Sequence, residues 1–192
     1  MKPPLILASA SPRRRRLLEE AGYPLDVDPP DFDEPDPKPG AHPESHAALL
    51  AFQKALTVAA RHTRGLILAA DTLCAVDDEI LNKPLDRADA ERMIRLQEGR
   101  DTLVVTGLCL FRADRAYFAG AIEKSLVHMR PLTTAERARH LDSERWRGKA
   151  GAYGVQDDDP FVRVAGGSFT NVVGLPMERL ADLLETHPQL TA

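Results

Sequence analysis

Asp71 follows the apolar run Leu66–Ala70 without a break, which puts a carboxylate where a buried strand should end. Open α/β sheets bind their ligands outside the carboxyl ends of their strands. A carboxylate there can take a proton from water or hold a divalent metal. The alternative is that Asp71 caps the following turn with Thr72. A second feature is Ser9-Ala10-Ser11-Pro12, which joins the short apolar run Leu5–Ala8 to a helix start. Free N–H groups and the positive end of the helix dipole make such a turn attractive to phosphate, with Ser9 and Ser11 as contacts. Arg13 to Arg16 follow at once. Each cation in a first helical turn is unfavourable by about a few tenths of a kcal/mol, so four of them hint at an anionic ligand. The other reading is a solvated basic face with i,i+4 pairs such as Arg15 with Glu19. Four consecutive residues cover most of a helix circumference, so only some can face one ligand. Arg13, nearest the turn, is the first choice, with Arg14 as helper. The third feature is Gly148–Gln156. Its Gln156 amide offers a donor and an acceptor to the edge of a base, unless it only closes a loop.

The elements that must position these groups are legible in outline. Leu5–Ala8 reads as a buried strand, and Ser11-Pro12 as the cap and first position of a helix that Gly22 ends. Residues 24–43 hold seven of the fifteen prolines and a cluster of acids, so an irregular loop is expected, placed as a flap over the site. Glu44–His62 carries apolar residues at Leu49, Phe52, Leu56 and Ala59, as an amphipathic helix would. Leu66–Ala70 and Leu73–Val76 read as strand, Arg87–Gln97 as helix. Leu103–Phe111 and Ala116–Met129 read as long antiparallel strands around an Arg112–Arg115 turn. Thr133–Leu141 and Met177–Glu185 read as helices, the second after a Gly174-Leu175-Pro176 break. The mixture of βα units with a hairpin predicts an α/β fold with a mixed sheet.

Composition narrows the function classes. A 192-residue chain can bury roughly 70% of its unfolded surface without a metal or disulfide staple. Cys74 and Cys109 both lie in apolar runs and read as buried free thiols of a reducing compartment. The net charge of −4 argues against a broad nucleic-acid surface but not against one nucleotide in a basic cleft. No apolar stretch reaches the ~20 residues of a membrane span, and the N-terminus lacks a signal-peptide core, so a cytoplasmic protein is expected. The six histidines show no ligand spacing beyond His42/His46, which straddles a proline; a zinc site is not expected.

Taken in order, Ser9-Ala10-Ser11-Pro12-Arg13-Arg14, Ala70-Asp71-Thr72 and Gly148–Gln156 resemble the signature segments of the Maf family of nucleoside triphosphate pyrophosphatases. The likeness runs from about residue 5 to about residue 184. It implies one domain over 1–192, a mixed twisted sheet flanked by helices, and two lobes around a nucleotide-binding cleft. It implies hydrolysis of a nucleoside triphosphate to the monophosphate and pyrophosphate with Mg²⁺ or Mn²⁺. Asp71 matches the family's proposed general base, and Thr72 a substrate-specificity position. Lys54, in Phe-Gln-Lys-Ala, and Lys83, in Leu-Asn-Lys-Pro, resemble the family's Glu-Lys-Ala and Gly-Lys-Pro lysines and become phosphate contacts, as does Lys149. Glu34 matches an acidic position that would hold the metal with Asp71. Gln156 matches the branch acting on dTTP and UTP, because its amide can pair with half of the uracil or thymine edge.

Asn171–Pro176 resembles the family's C-terminal signature and reads as scaffold. One departure is that Asp157-Asp158-Asp159 follows Gln156 where the family usually has Gly. Three acids there would recruit metal or weaken triphosphate binding. The resemblance leaves a role in preventing misincorporation or in arresting cell division open. A rival reading is a non-catalytic nucleotide-binding regulator of septum formation, against which Asp71 and the lysines speak. A nucleic-acid module built on Arg13–Arg16 is a further rival, disfavoured by the acidic balance and scarce aromatics. Membrane and nucleic-acid partners are not expected; assembly is left open, a homodimer among the options.

Overall fold

The computed structural model describes residues 2–31, 33–38, 40–77, 79–155 and 161–191. Among these, seven strands form one mixed sheet. The strands are β1 (Leu5–Leu7), β2 (Leu25–Val27), β3 (Leu66–Val76), β4 (Glu79–Leu81), β5 (Arg100–Arg112), β6 (Tyr117–Met129) and β7 (Val162–Gly166). Their order is β2-β1-β3-β5-β6-β7, with β4 added to β3. The β1 pairings to β2 and β3 are parallel, and the other pairings are antiparallel. Helices cover the sheet: α1 (Pro12–Glu20), α2 (Pro43–Ala59), α3 (Arg87–Gln97), α4 (Thr134–Asp142), α5 (Phe169–Val173) and α6 (Met177–Thr186). The fold is therefore α/β with a mixed sheet, as the order of predicted elements requires.

Local chemistry explains the boundaries. Ser11 caps α1, its hydroxyl accepting from the Arg14 N–H at 3.5 Å, with Pro12 at the first position. Thr133 and Glu136 form a reciprocal capping box at α4. Helix α2 lies across β3 and β5 on small residues, Ala47, Ala51 and Ala55, all fully buried. Its approach is so close that a Cβ on Gly107 of β5 would meet the Ala47 carbonyl at 2.5 Å.

Three expectations need correction. Residues 24–43 are not irregular throughout: Leu25–Val27 forms β2, in register with Leu5–Leu7. Two apolar residues alternating around Asp26 suffice for an edge strand, but the four residues between Pro24 and Pro29 leave no readable period. Helix α2 ends at Ala59 rather than His62, closed by the Ala60 N–H on the Leu56 carbonyl. Most importantly, the two apolar runs around Asp71-Thr72 are one eleven-residue strand.

Asp71 is thus in the middle of β3, opposite Gly107 of β5, and not at a strand end. The strand survives its polar pair because the other edge is open there. Parallel β1 leaves β3 after Leu68, and β4 joins only at Cys74. Between them residues 69–73 are held by β5 alone among the described residues. The chain departing from β1 into α1 makes a crevice at this point, which is the switch of direction at which open α/β sheets bind ligands.

Candidate active site

A cavity of about 710 Å³ opens at this gap in the sheet. That volume is in the range of small-molecule sites, roughly 300–1,000 Å³. Its walls come from the β1–α1 turn, the proline-rich segment before α2, one face of α2, the middle of β3, the turn after β4, and residues 147–155. Pro29, Pro30, Glu34, Pro35 and Asp36 put the proline-rich segment on the cavity wall.

The two sides of β3 divide the cavity's chemistry, because successive strand residues point to opposite faces. Asp71 faces α2. There Lys54, one turn beyond Leu50 and two beyond His46, shares the helix face that lines the cavity. The Lys54 ammonium donates to Asp71 Oδ1 and lies 3.0 Å from Glu34 Oε1. Lys54 and Asp71 are both buried, whereas the Glu34 side chain is 41% exposed. Burial pushes the Glu34 carboxyl up, but Lys54, with Lys83 and Arg14 behind it, holds it below the ordinary carboxylate value. The other Asp71 oxygen, Oδ2, is buried and has no hydrogen-bond partner among the described residues. An unsatisfied buried carboxylate oxygen at a cavity wall is a position for water or a cation.

Two carboxylates on one ammonium also fit part of a divalent-metal site. Among the described residues no group of three or more His, Cys, Asp or Glu is placed to hold an ion. Asp71 and Glu34 are oxygen donors of the kind Mg²⁺ takes, since it is usually bound through one or two carboxylates together with water and substrate phosphates.

On the opposite face, Thr72 meets α1 and α5. Arg14 is clamped here, its guanidinium donating to the Gly174 carbonyl at 2.7 Å, Ser9 Oγ at 3.2 Å and Thr72 Oγ1 at 3.1 Å. Thr72 Oγ1 is also 2.9 Å from Thr106 Oγ1. Ser9 Oγ accepts in addition from the Ser11 N–H at 3.2 Å. Ser9, Ser11, Arg14 and Thr72 thus have internal partners, and Arg14 braces the turn rather than presenting a free cation. Burial pushes the Arg14 guanidinium down, with Asp71 the main charge opposing this.

Arg13 differs. It lines the cavity, half-buried, and makes no hydrogen bond or ion pair among the described residues. Arg15 and Arg16 point away and pair with Glu19 and Glu20, each at 2.7 Å. The run of four arginines splits by helix geometry into two toward the cavity and two in solvent. Arg13→Ala should therefore raise the KM for an anionic substrate roughly 10- to 100-fold, the worth of a charge-assisted contact. Arg16→Ala should leave KM within about twofold, since exposed pairs contribute little. Equal losses in steady-state kinetics would assign the whole run to a solvated face.

Lys83 is exposed at the mouth and its charge reaches Glu34; Lys149 is buried in the wall. Gln156 and the three acids after it lie outside the described residues. The segment leading to them is described as far as Val155. It is fixed at Gly151, whose carbonyl accepts from Gln97 of α3 and whose N–H donates to the Asn82 carbonyl. Sequence reasoning gave neither Gln97 nor Asn82 a role, and weighed His46 only as half of the His42/His46 pair. Gln97 left one signal: it occupies the buried period Ala90, Met93, Ile94, Gln97 of α3, where an apolar residue would be expected. Among the described residues no helix is long and apolar enough to cross a membrane.

The chain is similar over most of its length to known proteins. A sequence model described as Maf-like protein matches residues 4–187. The chain is 46% identical over 187 residues to the dTTP/UTP pyrophosphatase of Rhodopirellula baltica, covering 96% of this chain and 82% of that protein. It is 43% identical over 184 residues to the dTTP/UTP pyrophosphatase of Caulobacter vibrioides, covering 95% and 94%. It is 38% identical over 182 residues to the dTTP/UTP pyrophosphatase of Ruminiclostridium cellulolyticum, covering 94% of each.

Proposed function

This chain belongs to the Maf-like family, and we propose that it hydrolyses dTTP and UTP to the nucleoside monophosphate and pyrophosphate. The observation that carries the reading is the buried Lys54 ammonium between Asp71 and Glu34, with Asp71 Oδ2 unpartnered at the wall of a nucleotide-sized cavity. Relatives at 38–46% identity are dTTP/UTP pyrophosphatases, which supplies the substrate class.

Water near Asp71 Oδ2 gives its proton to that carboxylate as its oxygen adds to the α-phosphorus. The bond from that phosphorus to the α–β bridging oxygen breaks, and pyrophosphate leaves. Lys54 keeps Asp71 oriented by donating to its other oxygen. Arg13 at the helix start and Lys83 at the mouth offset charge developing on the phosphates. Lys149 is assigned to the same phosphates from the wall. A divalent cation, Mg²⁺ or Mn²⁺, would be held by Asp71 and Glu34 and would neutralise phosphate charge when bound. Thr72, with its hydroxyl engaged by Arg14 and Thr106, shapes the opposite wall. Gln156 selects the pyrimidine by pairing with its carbonyl and N–H edge.

Pyrophosphate release should be measured over dTTP, UTP, CTP, dATP and GTP with Mg²⁺ and with Mn²⁺. The expected result is a kcat/KM for dTTP and UTP at least tenfold above that for the purines, about 1.4 kcal/mol of discrimination. Release of orthophosphate instead, or tight binding with no turnover on any nucleotide, would overturn the reading in favour of a phosphatase or a regulator.

A further inference from the structure

Residues 150–152 form a short strap on the cavity wall whose backbone groups are taken up one after another by different elements. Cys74 Sγ of β3 donates to the Ala150 carbonyl at 3.5 Å. Gln97 Nε2 of α3 donates to the Gly151 carbonyl at 2.7 Å. The Gly151 N–H donates to the Asn82 carbonyl at 3.2 Å. His140 Nε2 of α4 lies 3.0 Å from the Ala152 carbonyl. Gln97 is the centre of this arrangement. Its amide also donates to the Met93 carbonyl at 3.0 Å and accepts from Thr102 Oγ1 at 3.3 Å. Both amide hydrogens and the oxygen are engaged, and the side chain is 4% exposed. It lines the cavity but has no N–H left to read a ligand.

The strap itself faces the ligand space. Lys149, Ala150, Tyr153 and Val155 line the cavity beside Val104 and Val127. It packs on the Thr72 and Cys74 side of β3, away from the Lys54–Asp71 pair. Gly151 fits tightly: its φ is +69°, and a Cβ there would meet Gln97 Oε1 at 3.2 Å and Cys74 Cβ at 3.3 Å. Only a residue that tolerates the left-handed region without a side chain suits that contact.

We propose that Gln97 is a positioning residue for nucleotide binding: through its hydrogen bond to Gly151 it sets the strap that carries Lys149 and the wall against the nucleotide. The inference rests on the pyrophosphatase reading. Because the strap lies across the sheet from the carboxylates, losing Gln97 should act on binding and leave the hydrolytic step largely intact. A purely structural Gln97 would lower kcat and stability together without that division.

The test compares wild type, Gln97→Met and Gly151→Ala, which disturb the same contact from its two sides. Steady-state pyrophosphate release with UTP and dTTP is measured beside thermal melts and hydrogen exchange. Both variants should raise the KM for UTP about tenfold, roughly 1.4 kcal/mol, while kcat stays within about threefold. Amide protection should fall over 149–155 and persist in β3 and β5. A folded Gln97→Met with wild-type KM overturns the proposal. So does a parallel collapse of kcat and melting temperature in both variants. If Gln97→Met alone fails to fold, the KM of Gly151→Ala decides. Failure of wild type to release pyrophosphate would instead overturn the functional reading. Loss of protection confined to the strap would then still mark Gln97 as its anchor.

Discussion

Asp71→Asn should fold like wild type and lose turnover by a factor of about 10²–10⁴, the usual contribution of a positioned general base. The amide matches the carboxylate in shape, and its oxygen can still accept from Lys54. Glu34 remains 3.0 Å from the same ammonium, so the buried cation keeps an anionic partner. What changes is the atom facing the cavity. The unpartnered Oδ2 is replaced by an NH₂ group, which donates and cannot take a proton from water. Binding should suffer less, because the phosphate contacts proposed for Arg13 and Lys83 do not depend on Asp71. The measurement is kcat and KM for dTTP beside a thermal melt. A folded variant with kcat within threefold of wild type would remove Asp71 from the proton-transfer step.

How much of this was legible in the sequence depends on the range over which each feature is decided. Local signals served well where capping and period alone fix an element. Ser11-Pro12 marks the start of α1, the run Thr133–Leu141 gives α4, and the long runs around Arg112–Arg115 form the β5–β6 hairpin. The reading failed at Asp71, where a polar pair interrupts an apolar run and looks like a strand end. In the fold Thr72 is satisfied by Arg14 and Thr106, and one Asp71 oxygen by Lys54 from α2. All those partners are distant in sequence, so no local pattern could predict that the strand continues.

The same limit explains the arginines. Chain position suggested that Arg13 and Arg14 face a ligand together. The Gly174 carbonyl, 160 residues away, and Thr72 Oγ1, 58 residues away, join Ser9 in turning Arg14 into a brace. Gln97 shows the intermediate case. Its polar character on the buried face of α3 was visible, but its partner is a carbonyl 54 residues later. Glu34, Lys54 and Lys83 were assigned through family resemblance alone, and the structure brings all three to one cavity.

Lys54→Met carries the second large effect, and it should appear in stability as well as in activity. The side chain keeps the length and apolar stem of lysine but removes the ammonium that lies between Asp71 and Glu34. Two carboxylates then face each other across a buried site with no cation between them. Breaking a buried pair by deleting one partner typically destabilises by about 3–5 kcal/mol. Glu34 is partly exposed and water can reach it, so the lower end of about 3 kcal/mol is expected here. For a domain of this size that lowers the melting temperature by roughly 6–12 °C. Turnover should fall at least as far as in Asp71→Asn, since Asp71 loses the donor that orients it. The double variant Lys54→Met/Asp71→Asn separates the two effects. Removing the buried charge as well should recover much of the lost melting temperature while activity stays absent, an interaction that additive sites would not produce. Melting temperatures that simply add, or a Lys54→Met enzyme as stable and active as wild type, would show that the ammonium is not what holds the two carboxylates at the cavity.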